Sequence, residues 1–105
     1  MFYFKINKKS PKGWFCGPWN SKLKNAVGYA NQGINEKHYH KKMHEIYLIA
    51  KGTSTAIVGK KKIQLKVGDV LVVEPKKVHT FIKNSPDYLH FVIHSPCIKD
   101  DKFMV

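Results

Sequence analysis

The feature that most constrains this chain is the rhythm of its turn residues. Short β-prone runs alternate with Gly, Pro, Asn and Asp clusters about every 8 to 12 residues, and no stretch of about ten residues carries a helical spacing of apolar side chains. Val70-Leu71-Val72-Val73 is one such run, ended at Pro75, and Tyr88-Leu89-His90-Phe91-Val92-Ile93-His94 is another, stopped by Ser95-Pro96. Residues 53–58 and 63–67 predict a hairpin across the lysine-rich turn 59–62, between the tight turns Lys51-Gly52 and Gly68-Asp69. Further strands are predicted over 1–6, 26–30, 37–41, 45–50 and 79–83. Gly13-Trp14-Phe15-Cys16-Gly17-Pro18-Trp19-Asn20 is apolar but broken by Gly and Pro, which predicts an irregular aromatic segment that plugs a core or a partner interface. About nine short strands without helices make an all-β sandwich or jelly roll.

At 105 residues the chain has the size of one domain, with enough buried surface for a core without disulfide staples. No basic-then-apolar leader and no run of ~18 apolar residues is present, so a cytoplasmic protein with no membrane contact is expected. Cys16 and Cys97 then read as reduced, buried thiols. The net charge of +12 raises nucleic acid as a partner. All nineteen basic residues are lysine, however, and they are scattered over turns rather than gathered in one segment. Arginine is the better reader of guanine edges and clamp of phosphates, so specific nucleic-acid binding is not expected.

The chemistry concentrates in Lys37-His38-Tyr39-His40-Lys41-Lys42-Met43-His44-Glu45. His38 and His40 are two apart, so an extended backbone projects both imidazoles from one face. A carboxylate from Glu45 and a third imidazole from His79 would complete a set suited to one divalent transition metal ion (Fe, Mn, Ni, Zn or Cu). His44 competes with Glu45, because neighbours on a regular strand point to opposite faces and only one of them can turn inward.

These residues resemble the cupin superfamily, small jelly-roll barrels that carry two motifs. The first is Gly33, four residues, His38-Tyr39-His40, four residues, Glu45, six residues, Gly52; the second is Gly68, five residues, Glu74-Pro75-Lys76-Lys77-Val78-His79, four residues, Asn84. The resemblance covers about residues 28–96. Here one residue fewer separates the first Gly from the first His, Glu74 stands at the family's Pro position and Lys76 at its Gly position. It implies one cupin domain over 1–105, with motifs at 33–52 and 68–84, and His38, His40, Glu45 and His79 as metal ligands. Glu45 holds the family position, so His44 is expected on the outer face and Tyr47 on the cavity side with Phe81.

The function implied is a mononuclear-metal enzyme acting on a small oxygen-rich molecule by dioxygenase, decarboxylase or isomerase chemistry. The alternative is the same barrel as a non-catalytic ligand- or metal-binding module. The lack of arginine disfavours sugar-phosphate substrates. On the last strand either His90 and Val92 or Leu89, Phe91 and Ile93 face inward. With the second choice, His90 and His94 are solvent-facing; with the first, His90 could act as a base above the metal. Trp14, Phe15 and Trp19 are expected in core or dimer packing, and the aromatic run Phe2-Tyr3-Phe4 predicts a homodimer.

Overall fold

The computed structural model describes residues 1–32 and 35–105. Gly33, where the first motif begins, therefore lies outside the described residues. Within them are ten strands and no helix: β1 (Lys12–Cys16), β2 (Ala26–Ala30), β3 (His38–Tyr39), β4 (His44–Lys51), β5 (Thr53–Val58), β6 (Lys61–Lys66), β7 (Val70–Val73), β8 (His79–Asn84), β9 (Leu89–Ser95) and β10 (Phe103–Met104).

The strands form two five-stranded antiparallel sheets, ordered β1-β2-β9-β4-β7 and β10-β3-β8-β5-β6. The chain changes sheet at every connection except β1–β2 and the β5–β6 hairpin, which is the winding of a jelly roll. Among the described residues no ladder joins one sheet to the other, so the sheets face each other without closing into a continuous barrel.

Alternation along β4 sends Glu45, Tyr47 and Ile49 inward. Tyr47, Ile49, Val73 and Val92 of the first sheet meet Ala56, Leu65 and Phe81 of the second in one core. Each of the larger aliphatic and aromatic side chains among them contributes roughly 1.5–3 kcal/mol of burial, which suffices to hold the sheets together without disulfides. Gly52 makes the turn from β4 to β5 at φ +71°, and a Cβ there would fall 2.2 Å from Ser85 Oγ. Both conformation and space therefore require glycine at that turn.

Three expectations need correction. Residues 1–6 form no strand, and Met1, Phe2 and Tyr3 are exposed. Aromatic and β-branched side chains favour a strand only against a partner strand, and this run has none. Conversely, the segment read as irregular contains β1, which pairs with β2 through Lys12↔Ala30, Gly13↔Tyr29 and Trp14↔Gly28 before a bulge at Cys16. Gly17 and Pro18 end the strand rather than break it. Finally, the two thiols are free but half-buried, not buried.

Candidate metal centre

The second sheet supplies three imidazoles and the first a carboxylate. His38 on β3 lies directly opposite His79 on β8 in their ladder, His40 follows β3 by one residue, and Glu45 reaches across from β4. All four are buried, and their donor atoms lie within 4.8 Å of one another. His79 Nε2 is 2.7 Å, His40 Nε2 2.8 Å and His38 Nε2 3.6 Å from Glu45 Oε1. His44 is exposed, on the opposite face of β4.

The far side of each ring decides what this cluster can hold. His38 Nδ1 donates to the Glu36 carbonyl at 2.6 Å, His79 Nδ1 to the Lys77 carbonyl at 2.9 Å, and His40 Nδ1 to the Asp101 carbonyl. A carbonyl can only accept, so in each neutral ring the proton sits on Nδ1 and the Nε2 lone pair points inward. Three lone pairs and a carboxylate oxygen converging on one point suit a cation between them. Backbone carbonyls that fix the imidazole tautomer in this way are the usual support of histidine metal ligands. The residues fit a metal ion.

In the protein alone the same groups hold one another, with ring protons taking the place of an ion. Burial would raise the Glu45 carboxyl, but the imidazoles of His38, His40, His79 and His94 outweigh it and hold the group far below the usual carboxylate range. His40 shows the reciprocal effect: burial lowers it, yet the Glu45 carboxylate and the Asp101 carbonyl bring it above its ordinary value.

Asp101 is the support that sequence reasoning did not single out. Its carboxylate accepts from the backbone N–H groups of Lys41, Lys42 and Met43 at 2.9, 3.0 and 3.0 Å, and thereby sets the loop between β3 and β4. Burial would raise this carboxyl, but those three bonds keep it below the ordinary aspartate value.

Beside the cluster is a cavity of about 460 Å³, lined in part by Trp14, Tyr29, Tyr47, His90, Val92 and His94. That volume suits a small organic ligand. Of the two faces open to β9, the one carrying His90 and Val92 is inward, and His94 shares it. His94 Nε2 donates to Glu45 Oε2 at 2.8 Å, so the solvent-facing reading of His94 is overturned. The strand's alternation was visible in the sequence, but a polar cavity reverses the usual rule that polar side chains face water. Trp14 also stands at the cavity rather than in the core: it lies over Gly28, where a Cβ would meet its ring at 2.7 Å, and its ring is 4.6 Å from that of His94. Phe15 packs on Tyr29 and Phe91, and Trp19 is exposed. Tyr47 lines the cavity as expected, whereas Phe81 packs behind it in the core, with ring centroids 4.9 Å apart.

Solved structures with this arrangement of strands share little of the sequence. Streptomyces PAC13 with uridine superposes with a TM-score of 0.74 at 13% identity, covering 100% of this chain and 92% of that one. Pac13 is described as a nucleoside dehydratase. KdgF from Halomonas sp. gives 0.72 at 16% identity, over 95% of this chain and 98% of that one. A cupin-like protein from Thermotoga maritima gives 0.75 at 20% identity, over 90% and 74%. No curated protein matches the chain in sequence. The Cupin domain profile matches residues 27–94, from β2 through nearly all of β9 and across the whole histidine cluster, and the chain belongs to the cupin family.

Proposed function

We propose that this cupin is a mononuclear-metal enzyme acting on a small oxygen-rich molecule, with His38, His40, His79 and Glu45 as metal ligands. The observation that carries the reading is the set of three carbonyl-fixed imidazoles whose Nε2 atoms converge on Glu45 Oε1 beside an open cavity. A bound divalent transition ion would supply a Lewis acid with coordination positions left for substrate oxygens. The chain's own residues do the rest. His94 takes Glu45 Oε2 and leaves Oε1 free to face the imidazoles. Asp101 holds His40 and its loop in place, while Trp14, Tyr29 and Val92 shield one side of the cavity from water. The PAC13 and KdgF likenesses support a cupin enzyme in general and select no reaction at such low identity. Dioxygenase, decarboxylase and isomerase chemistry are all compatible with this ligand set.

The test is elemental analysis of protein purified without chelators or an affinity tag. About one equivalent of a single transition metal per chain is expected. Protein that holds no metal after reconstitution with Fe, Mn, Ni, Zn and Cu in turn would overturn the reading. A homodimer is proposed alongside it, because Phe2, Tyr3 and Trp19 are 66%, 74% and 57% exposed.

A further inference from the structure

Two groups of the cavity are used neither by the histidine cluster nor by the core. His90 is 1% exposed, yet it lines the cavity. Its Nδ1 lies 2.7 Å from the Tyr88 hydroxyl. Burial holds the Tyr88 phenol well above its ordinary value, so that hydroxyl keeps its proton and can donate it to Nδ1. Burial also pushes His90 down to about 4, against the pull of the Glu45 charge, so the ring is neutral and carries one proton. With Nδ1 accepting, that proton belongs to Nε2, which faces the cavity that His90 lines. The result is a preset, uncharged donor at the buried part of the cavity.

Lys12, the first residue of β1, lines the same cavity from an exposed position and has no ion-pair partner among the described residues. Lys102 lines it too, but is paired with Glu36 at 3.3 Å. Among the described residues Glu45 is the only carboxylate on the wall, and both its oxygens face imidazoles. A free ammonium and a neutral N–H donor beside an aromatic and aliphatic wall complement a molecule with acceptor oxygens, a negative charge and a hydrocarbon part.

We propose that the cavity selects small carboxylic acids, with Lys12 as the countercharge and the Nε2–H of His90 as a fixed donor to one oxygen of the ligand. This rests on the reading of the cavity as the substrate site, though not on any metal being bound. It narrows the substrate class from oxygen-rich molecules in general to organic acids.

The probe is benzoate, compared with its neutral isostere benzamide by titration calorimetry, first on the chain as purified and again after chelator treatment. Benzoate is expected to bind about tenfold tighter than benzamide in both forms, the usual worth of one charge-assisted contact. Lys12→Met should remove most of that difference and leave benzamide unchanged. Lys61→Met, which deletes the same charge at the start of β6 away from the cavity, should change neither. Tyr88→Phe, which keeps the volume of the ring but frees Nδ1, should weaken both ligands, and nitrogen-15 NMR of labelled histidine should find the His90 proton on Nε2 in the parent chain. Equal losses from the two lysine variants would reduce the effect to net charge and overturn the proposal. So would equal binding of the two probes, no binding of either, a proton found on Nδ1, or benzoate binding that disappears with the metal. Benzoate selectivity in a chain that never holds metal would sink the metalloenzyme reading and leave this one standing.

Discussion

His40 donates its Nδ1–H to the backbone carbonyl of Asp101, a residue 61 positions further along, while the side chain of the same Asp101 accepts from the backbone N–H groups of the three residues after Tyr39-His40. One buried aspartate thus orients an imidazole with its main chain and its loop with its carboxylate. Asp101→Ala would strip three donors of their acceptor. We expect a loss of about 2–4 kcal/mol in urea unfolding, with Asp101→Asn losing less because one acceptor oxygen survives. A loss below about 0.5 kcal/mol, the scale of an ordinary surface change, would mean that the loop holds its own shape.

Replacing His38, His40, Glu45 or His79 by alanine should remove most of the bound metal while the sheets stay folded, since the core between them does not depend on the ion. His44→Ala should keep the metal, because His44 leaves β4 on the exposed face. The informative comparison is Glu45→Ala against His44→Ala in one metal assay with circular dichroism as the folding check. Retention by the first and loss by the second would contradict the strand register.

The buried His90 predicts an acid-sensitive fold. Its folded value is lowered to about 4 from an ordinary 6.5. Between those values the unfolded chain binds the extra proton, so stability is full above about pH 6.5 and declines as pH falls, the loss being complete near pH 4 at roughly 3 kcal/mol. The groups around this ring are the phenols of Tyr47 and Tyr88, the Phe81 ring and the more distant Glu45 carboxylate. His90→Phe should flatten this part of the stability–pH curve relative to the parent. Parallel curves would mean that His90 does not titrate as its burial requires.

Lys76 sits at φ +71°, in the turn where the cupin motif carries glycine, and its N–H donates to the His40 carbonyl. A left-handed backbone costs a non-glycine residue roughly 1–2 kcal/mol, against roughly 0.5–1 kcal/mol of added chain entropy for glycine. Lys76→Gly should therefore raise stability by up to about 1 kcal/mol in chemical denaturation, with no change in metal content. A destabilised variant would show that the lysine side chain contributes more than its backbone strain costs.

For the proposed homodimer, sedimentation velocity at about tens of micromolar, where an interface of standard size holds together, should give the mass of two chains. Removal of residues 1–6 should shift it toward one chain, as those residues join no sheet of their own. A single-chain mass for the parent at that concentration would refute the pairing.

Local chemistry by itself determined a good deal of this protein. Turn residues marked the ends of β4, β5, β7 and β8 to within a residue, because Gly, Pro and Asp impose backbone geometry wherever they occur, whereas β6 begins at Lys61, inside the expected turn 59–62. The spacing of His38, His40, Glu45 and His79 picked out four side chains that the fold brings within reach of one another. Strand periodicity fixes the side on which neighbours emerge, which is why His44 and Glu45 separate as expected. Tertiary structure decided the rest. Residues 1–6 and 12–16 are both rich in aromatics, and only pairing with β2 made a strand of the second. Both faces of β9 were credible, and its ladders with β2 and β4 put His90 and His94 toward the cavity. Asp101 acquired its role from a fold that returns the chain's end, through β10, to the edge of β3. A residue's neighbours along the chain set its local geometry, whereas strand partners and the polarity of an enclosed cavity come from distant segments whose positions are fixed only when both sheets have packed.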